Sequence, residues 1–203
     1  MIALDHIVIS GKTLDEASDH IASSLGVKLQ DGGCHDRYAT HNRLLGLENG
    51  IYLEAIAVNP EAKKPVRPRW FDLDNFNEKP RITNWVCRSK NIKFEVKNIF
   101  SESTQIIKMK RNQLKWLITV PRDGILPFCG AFPAVLQWET NPPVAQLVPS
   151  KCRLKHMTIF HPEVIELQKK IQSFKDPRIS FEPNDKVTFF AEFDTPNGIR
   201  SLQ

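Results

Sequence analysis

The chain begins its patterned region with Leu4-Asp5-His6-Ile7-Val8-Ile9, a short run dominated by aliphatic and β-branched side chains, which predicts a strand. Thr13-Leu14-Asp15-Glu16 then has the spacing of a capping box at a helix start. Leu14, Ala17, Ile21 and Leu25 recur at helical spacing, and Gly26 stands where a C-cap belongs. Val27 to Gln30 predicts a short strand, which Asp31-Gly32-Gly33 breaks. Thr40 to Leu47 and Ile51 to Val58 predict two more strands. Glu48-Asn49-Gly50 joins them, and Asn-Gly is a strong short hairpin signal. The first unit is therefore strand, helix, three strands.

A related pattern returns near the end. Leu154-Lys155-His156-Met157-Thr158-Ile159 mirrors the opening strand, with histidine in the same place. His161-Pro162 opens a helix carrying Val164, Leu167, Ile171 and Phe174, and proline is favoured at a first helical position. Val187 to Asp194 predicts a strand, and Pro196-Asn197-Gly198-Ile199 mirrors the earlier hairpin. The His-to-Asn interval is 43 residues in the first unit (6 to 49) and 41 in the last (156 to 197). Such agreement argues for an internal repeat. In the middle, Ile82 to Arg88, Ile106 to Met109, Leu114 to Val120 and Pro133 to Glu139 suit strands, and Ser89 to Gln105 has room for a helix. Modules are thus expected at about 1–59, 81–140 and a truncated 152–203 within one domain. The stretches 60–80 and 141–151 read as connections.

A length of 203 residues with 41% hydrophobic and 25% charged residues suits a soluble globular fold and excludes a disulfide mini-scaffold. No apolar run reaches the roughly 20 residues that span a bilayer, and no membrane partner is expected. The first residues lack the basic and apolar regions of a signal peptide, which points to the cytoplasm. Cys34, Cys87, Cys129 and Cys152 include no CxxC pair and read as reduced, mostly packed thiols. The net charge of +5 is uneven: residues 61 to 122 carry fifteen Lys/Arg against six Asp/Glu, +9, leaving −4 elsewhere. A basic middle suits anionic partners or a solvated face. Zinc-finger spacing, an RNP-like aromatic motif and an Arg-rich recognition helix are all missing, so no nucleic acid is expected.

Alternate residues of a strand share a face. His6 therefore sits with Val8 and Ser10, Glu54 with Tyr52, Ile56 and Val58, and His156 with Leu154, Thr158 and Phe160. A polar group on an apolar strand face needs a partner or a function. If the strands of His6 and Glu54 are neighbours, the two can meet on one divalent ion (zinc, iron, nickel or manganese). They can equally form a buried hydrogen-bonded pair in a metal-free pocket, and the residues leave both readings open. Arg67 and Arg69, beside Trp70, offer guanidinium forks for an anion or simple packing. His35 and His161 read as surface or turn residues, and Trp85, Trp116 and Trp138 as core.

Leu4 to Ile9, Thr40-His41-Asn42, Tyr52-Leu53-Glu54, Arg69-Trp70-Phe71, Leu117 to Pro121 and Asp194-Thr195-Pro196-Asn197-Gly198 together resemble the glyoxalase-like family of the vicinal oxygen chelate superfamily. The resemblance implies an α+β fold of repeated βαβββ modules, closing into a cupped, partly open mixed β-barrel with helices outside. It implies a small-molecule ligand, isomerase, lyase or dioxygenase chemistry, and a homodimer. It also implies metal ligands on the first and last strands of each module. His6 and Glu54 match those positions, and His156 would be the third ligand. Glu54 and His41 would act in catalysis, with Asn42, Arg67, Arg69, Trp70 and Gln137 against the substrate. The departures are Leu202 at the last-strand position of the final unit, Glu192 one strand earlier, and the neutral amides Asn84 and Gln137 in the middle unit. They favour an alternative, a metal-free protein that binds or sequesters its ligand without catalysis.

Overall fold

In a computed structural model the described residues are 2–99, 104–172 and 174–203. Strand β1 (Ala3–Ser10) is followed by helix α1 (Leu14–Leu25) and strands β2 (Gln30–His35), β3 (Thr40–Leu47) and β4 (Ile51–Val58). The capping signals act as the sequence requires: Thr13 Oγ1 accepts from the Glu16 amide at 3.1 Å, and Gly26 closes the helix in the left-handed region. A second unit follows, with β5 (Arg81–Arg88), α2 (Ile92–Ile99), β6 (Thr104–Arg111), β7 (Leu114–Pro121) and β8 (Ala134–Trp138). The helix allowed for between Ser89 and Gln105 is α2, and residues 100–103 of that stretch lie outside the described residues.

These two units form one mixed sheet in the order β2-β3-β4-β1-β5-β8-β7-β6. Each first strand pairs in parallel with its module's last strand, and β1 pairs antiparallel with β5. The sheet curls into a cupped half-barrel. Two of its register shifts shape its interior. Between Leu4 and His6 the β1–β5 register shifts by one residue, a bulge that turns Asp5 and His6 together into buried positions. In β2, Asp31-Gly32-Gly33 does not end the strand, as expected from composition, but forms a bulge against β3. A Cβ on Gly32 would lie 2.1 Å from Asn42 Oδ1, so only glycine leaves space there for the Asn42 amide.

The third unit contains β9 (Arg153–His161), α3 (Val164–Lys170), β10 (Ile179–Pro183), β11 (Thr188–Thr195) and β12 (Gly198–Leu202). It repeats the element order but not the pairing, because its separate sheet runs β10-β9-β11-β12. β10 is an added finding; its short, half-exposed Ile-Ser-Phe-Glu-Pro sequence carries little periodic signal. Two apolar clusters divide the molecule. One gathers Ile7, Ile9, Ile21, Leu53 and Trp85 with Leu154, Met157, Phe189 and Leu202, so the third unit covers the outer face of the large sheet. The other holds Val8, Ile56, Trp70, Val86, Trp116 and Leu136 inside the cup.

Candidate functional site

β1 and β4 are neighbours, as a shared His6–Glu54 site requires, and their register sets His6 beside Tyr52 and Val8 beside Glu54. The His6 ring stacks on Tyr52, with centroids 4.5 Å apart and planes 17° from parallel. His6 Nδ1 donates to Asp5 Oδ1 at 2.8 Å, and the indole Nε1 of Trp138 donates to Asp5 Oδ2 at 3.0 Å. On the other side of the ring, His6 Nε2 stands 3.4 Å from Glu54 Oε2. Asn42 Nδ2 donates to the other Glu54 oxygen. The bulge thus lets one imidazole bridge two carboxylates.

Burial opposes charge on His6, but the hydrogen bonds and negative charges of Asp5 and Glu54 outweigh it and raise its pKa from 6.5 to about 9. Burial likewise opposes charge on Glu54, and the bond and charge of His6, helped by Asn42, lower it from 4.5 to about 2. At neutral pH the pair is an imidazolium beside a carboxylate. Tyr52 stays a neutral phenol, its pKa pushed well above 10 by burial and then by the nearby carboxylates.

His6, Tyr52 and Glu54 line a cavity with His35, Trp70, Phe71, Arg111, Trp116 and Trp138. Its volume is about 20 Å³, on the order of the space one ordered water occupies. Trp70 and Phe71 reach it from the 60–80 connection, in a turn where Phe71 and Asp72 hold φ of 59° and 55°. Gly124 holds that turn in place: its carbonyl accepts from Asp72 N at 3.1 Å, and a Cβ there would lie 1.9 Å from the Arg69 carbonyl.

Residues 4–174 match the family described as a glyoxalase-like domain. The chain belongs to that family. No curated protein matches the sequence. Among solved structures, a hypothetical protein from Staphylococcus aureus is similar over 99% of this chain and 84% of its own, with TM-score 0.63 and 18% identity. Methylmalonyl-CoA epimerase from Mycobacterium tuberculosis is similar over 71% and 91%, with TM-score 0.46 and 18% identity. A variant of the Streptomyces coelicolor methylmalonyl-CoA epimerase, in complex with 2-nitronate-propionyl-CoA, is similar over 68% and 97%, with TM-score 0.43 and 13% identity.

The glyoxalase-like cup brings together some of the expected residues and not others. Asn42 and Trp70 join His6 and Glu54. His41 does not: on β3 it points opposite to Asn42, on the face where Arg43 bonds Asp15 and Ser18 of α1. Arg69 is buried, but Asp74 takes its guanidinium, and neither Arg69 nor Arg67 lines the cavity. Gln137 accepts from the Ile92 amide at 3.0 Å, capping α2, and its neighbour Leu136 faces the cup instead. His156 lies in the other sheet and bonds Ser180 Oγ at 2.8 Å, because the first unit shares its cup with the second. Val86 and Leu136, the cup positions of the middle unit, are aliphatic. Both nitrogens of His35 are engaged, with Thr40 and Arg111. Among the described residues no group of three His, Cys, Asp or Glu is set to hold a metal, whereas a catalytic zinc takes three protein ligands. The donor set therefore does not make the three-ligand site of a catalytic zinc.

Sequence reasoning missed Asp5, His35, Tyr52, Arg111 and Trp138 as site residues. His35 and His161 are buried rather than at the surface. Asp5 was the one recoverable omission, since an acid beside His6 in an apolar strand has no bland reason to be there. Of the four free thiols, Cys87 and Cys152 are buried and Cys34 and Cys129 exposed.

Proposed function

We propose that this protein binds a small oxygen-rich organic molecule in the cup and moves a proton on it, with Glu54 as base and His6 as acid. One observation carries the reading: a buried imidazolium is clamped by Asp5 and faces Glu54 across 3.4 Å, in a cavity walled by aromatic rings. A carbonyl ligand entering between the two would part them. Glu54 would lose the contact that lowers its pKa and keep the burial that raises it, so it becomes a stronger base. It takes a C–H proton next to the carbonyl while His6 Nε2 gives its proton to the carbonyl oxygen, forming the enol; the reverse steps restore the carbonyl. Asp5 holds the ring in place throughout. The proton chemistry rests on this chain's own side chains.

Four free cysteines support a reducing compartment, and the cytoplasm is part of the same proposal. Among the described residues no helix is long and apolar enough to cross a membrane. The test is C–H exchange in D2O, followed by proton NMR, with a panel of 1,2-dicarbonyl and α-hydroxycarbonyl compounds. Exchange that is lost in Glu54→Gln and slowed at least tenfold in His6→Asn supports the reading. Saturable binding without exchange would replace it with sequestration, and exchange unchanged in Glu54→Gln would overturn the assignment of the base.

A further inference from the structure

One charge in the cup plays no part in the His6–Glu54 chemistry. Arg111 ends β6 and is 7% exposed, inside the cavity lining. Its Nη1 donates to His35 Nε2 at 3.1 Å, while its Nε is buried without a hydrogen-bond partner. Among the described residues it has no carboxylate partner.

The group that holds Arg111 is neutral. Because His35 Nε2 accepts from Arg111, its Nδ1 carries the hydrogen and donates to Thr40 Oγ1 at 3.1 Å. Thr40 Oγ1 also accepts from the Trp70 indole at 3.2 Å. Burial first, and the Arg111 charge with it, lower the His35 pKa to about 3, so this ring orients the guanidinium without adding charge. Gly33 completes the seat: β2 passes so close to β6 that a Cβ at Gly33 would lie 3.1 Å from Arg111 Cδ.

A buried charge is costly unless it is paired. Asp5 and Glu54 are both engaged by His6, and Asp5 also by the Trp138 indole, so neither carboxylate is left to pair Arg111. Among the described residues the buried cation without a carboxylate is therefore Arg111, whose guanidinium fork suits one.

We propose that Arg111 anchors the carboxylate of the ligand, so that this protein acts on small organic carboxylates. The ligand's remaining atoms lie against Tyr52 and reach the His6–Glu54 pair, and to that extent the inference rests on the proposed function. The cavity is about 20 Å³ while His6 and Glu54 are in contact, so a ligand enters only as that pair parts, which restricts the class to molecules of few heavy atoms.

The test compares pyruvate with pyruvamide, its neutral near-isostere, on the full chain labelled with 15N-arginine. Pyruvate should shift the Arg111 Nε–H resonance and bind at least tenfold tighter than pyruvamide. Arg111→Lys, which keeps the charge but loses the fork, should weaken pyruvate at least tenfold and leave pyruvamide unchanged. Equal affinity for the two probes in the wild-type protein, or no pyruvate binding, would overturn the anchor, and this comparison does not depend on whether a variant folds. Exchange on neutral carbonyls with no preference for carboxylates would remove the anchor and leave the proton chemistry standing. Arg111-dependent pyruvate binding with no C–H exchange would do the reverse.

Discussion

Replacing His6 with glutamine should flatten the alkaline limb of the stability curve, and the structure gives its size. In the unfolded chain His6 titrates at 6.5, and in the fold at about 9, because Asp5 and Glu54 stabilise the imidazolium. Between those values the native state binds a proton that the unfolded state does not. Stability from this group is complete below pH 6.5 and is lost as pH rises through about 9. At about 1.36 kcal/mol per pH unit the loss is about 3 kcal/mol. The Glu54 shift is the same contact seen from its partner, so it is not added. His35 has the opposite sign: its folded pKa of about 3 lies below 6.5, so the unfolded state takes the extra proton and stability falls as pH drops from 6.5 toward 3. Together the two histidines place the stability maximum near pH 6.5. Urea denaturation at half-unit steps from pH 5.5 to 9.5 measures it. Buried Cys87, whose pKa burial raises well above 9, adds to the alkaline loss, so the deciding quantity is wild type minus His6→Gln. A difference that does not shrink between pH 6.5 and 9.5 refutes the proposed Asp5–His6–Glu54 pairing.

Two other perturbations test the walls of the cup. Trp138→Phe removes the indole donor from buried Asp5 and should cost about 1–3 kcal/mol; Asp5, relieved of that donor, accepts more strongly from His6, so the His6 pKa should rise further, read from its C2 proton NMR titration, and an unchanged titration would detach Trp138 from the site. Gly124→Ala puts a Cβ 1.9 Å from the Arg69 carbonyl at φ +80°. It should destabilise the fold by about 1–3 kcal/mol and displace the Trp70 turn, raising acrylamide quenching of Trp70 fluorescence in a protein whose other tryptophans are phenylalanine; unaltered quenching would show that Gly124 does not hold the turn.

Most of the fold can be read from the sequence because its signals are local. Thr13 and Gly26 bound α1 through their own backbone contacts, and Asn49 and Gly50 take the positive φ values that the β3–β4 connection requires. Alternation alone places His6 and Glu54 on the faces they occupy. β2 was harder to read, because Asp31-Gly32-Gly33 forms a bulge only when paired with β3, and its glycines make room for Asn42 and Arg111 from distant strands.

The composition of the site depended on which units meet. The repeated histidines at 6 and 156 look equivalent in sequence, yet β1 joins β5 of the second unit, while β9 builds a separate sheet behind it. His156 therefore bonds Ser180, and the cup draws its remaining polar groups from residues with no motif to mark them. Arg111 sits in an alternating strand whose basic residues otherwise read as solvated, and His35 lies beside a turn. Local sequence signals marked most of the strands, the α1 caps and the polar pair on the first and last strands of the first unit, since propensity, capping and alternation act over a few residues. Tertiary structure alone decided the Asp5–His6–Glu54 bridge, the Arg111–His35 contact and the exclusion of His41 and Gln137, because burial, register and the pairing of units are set by contacts tens of residues apart.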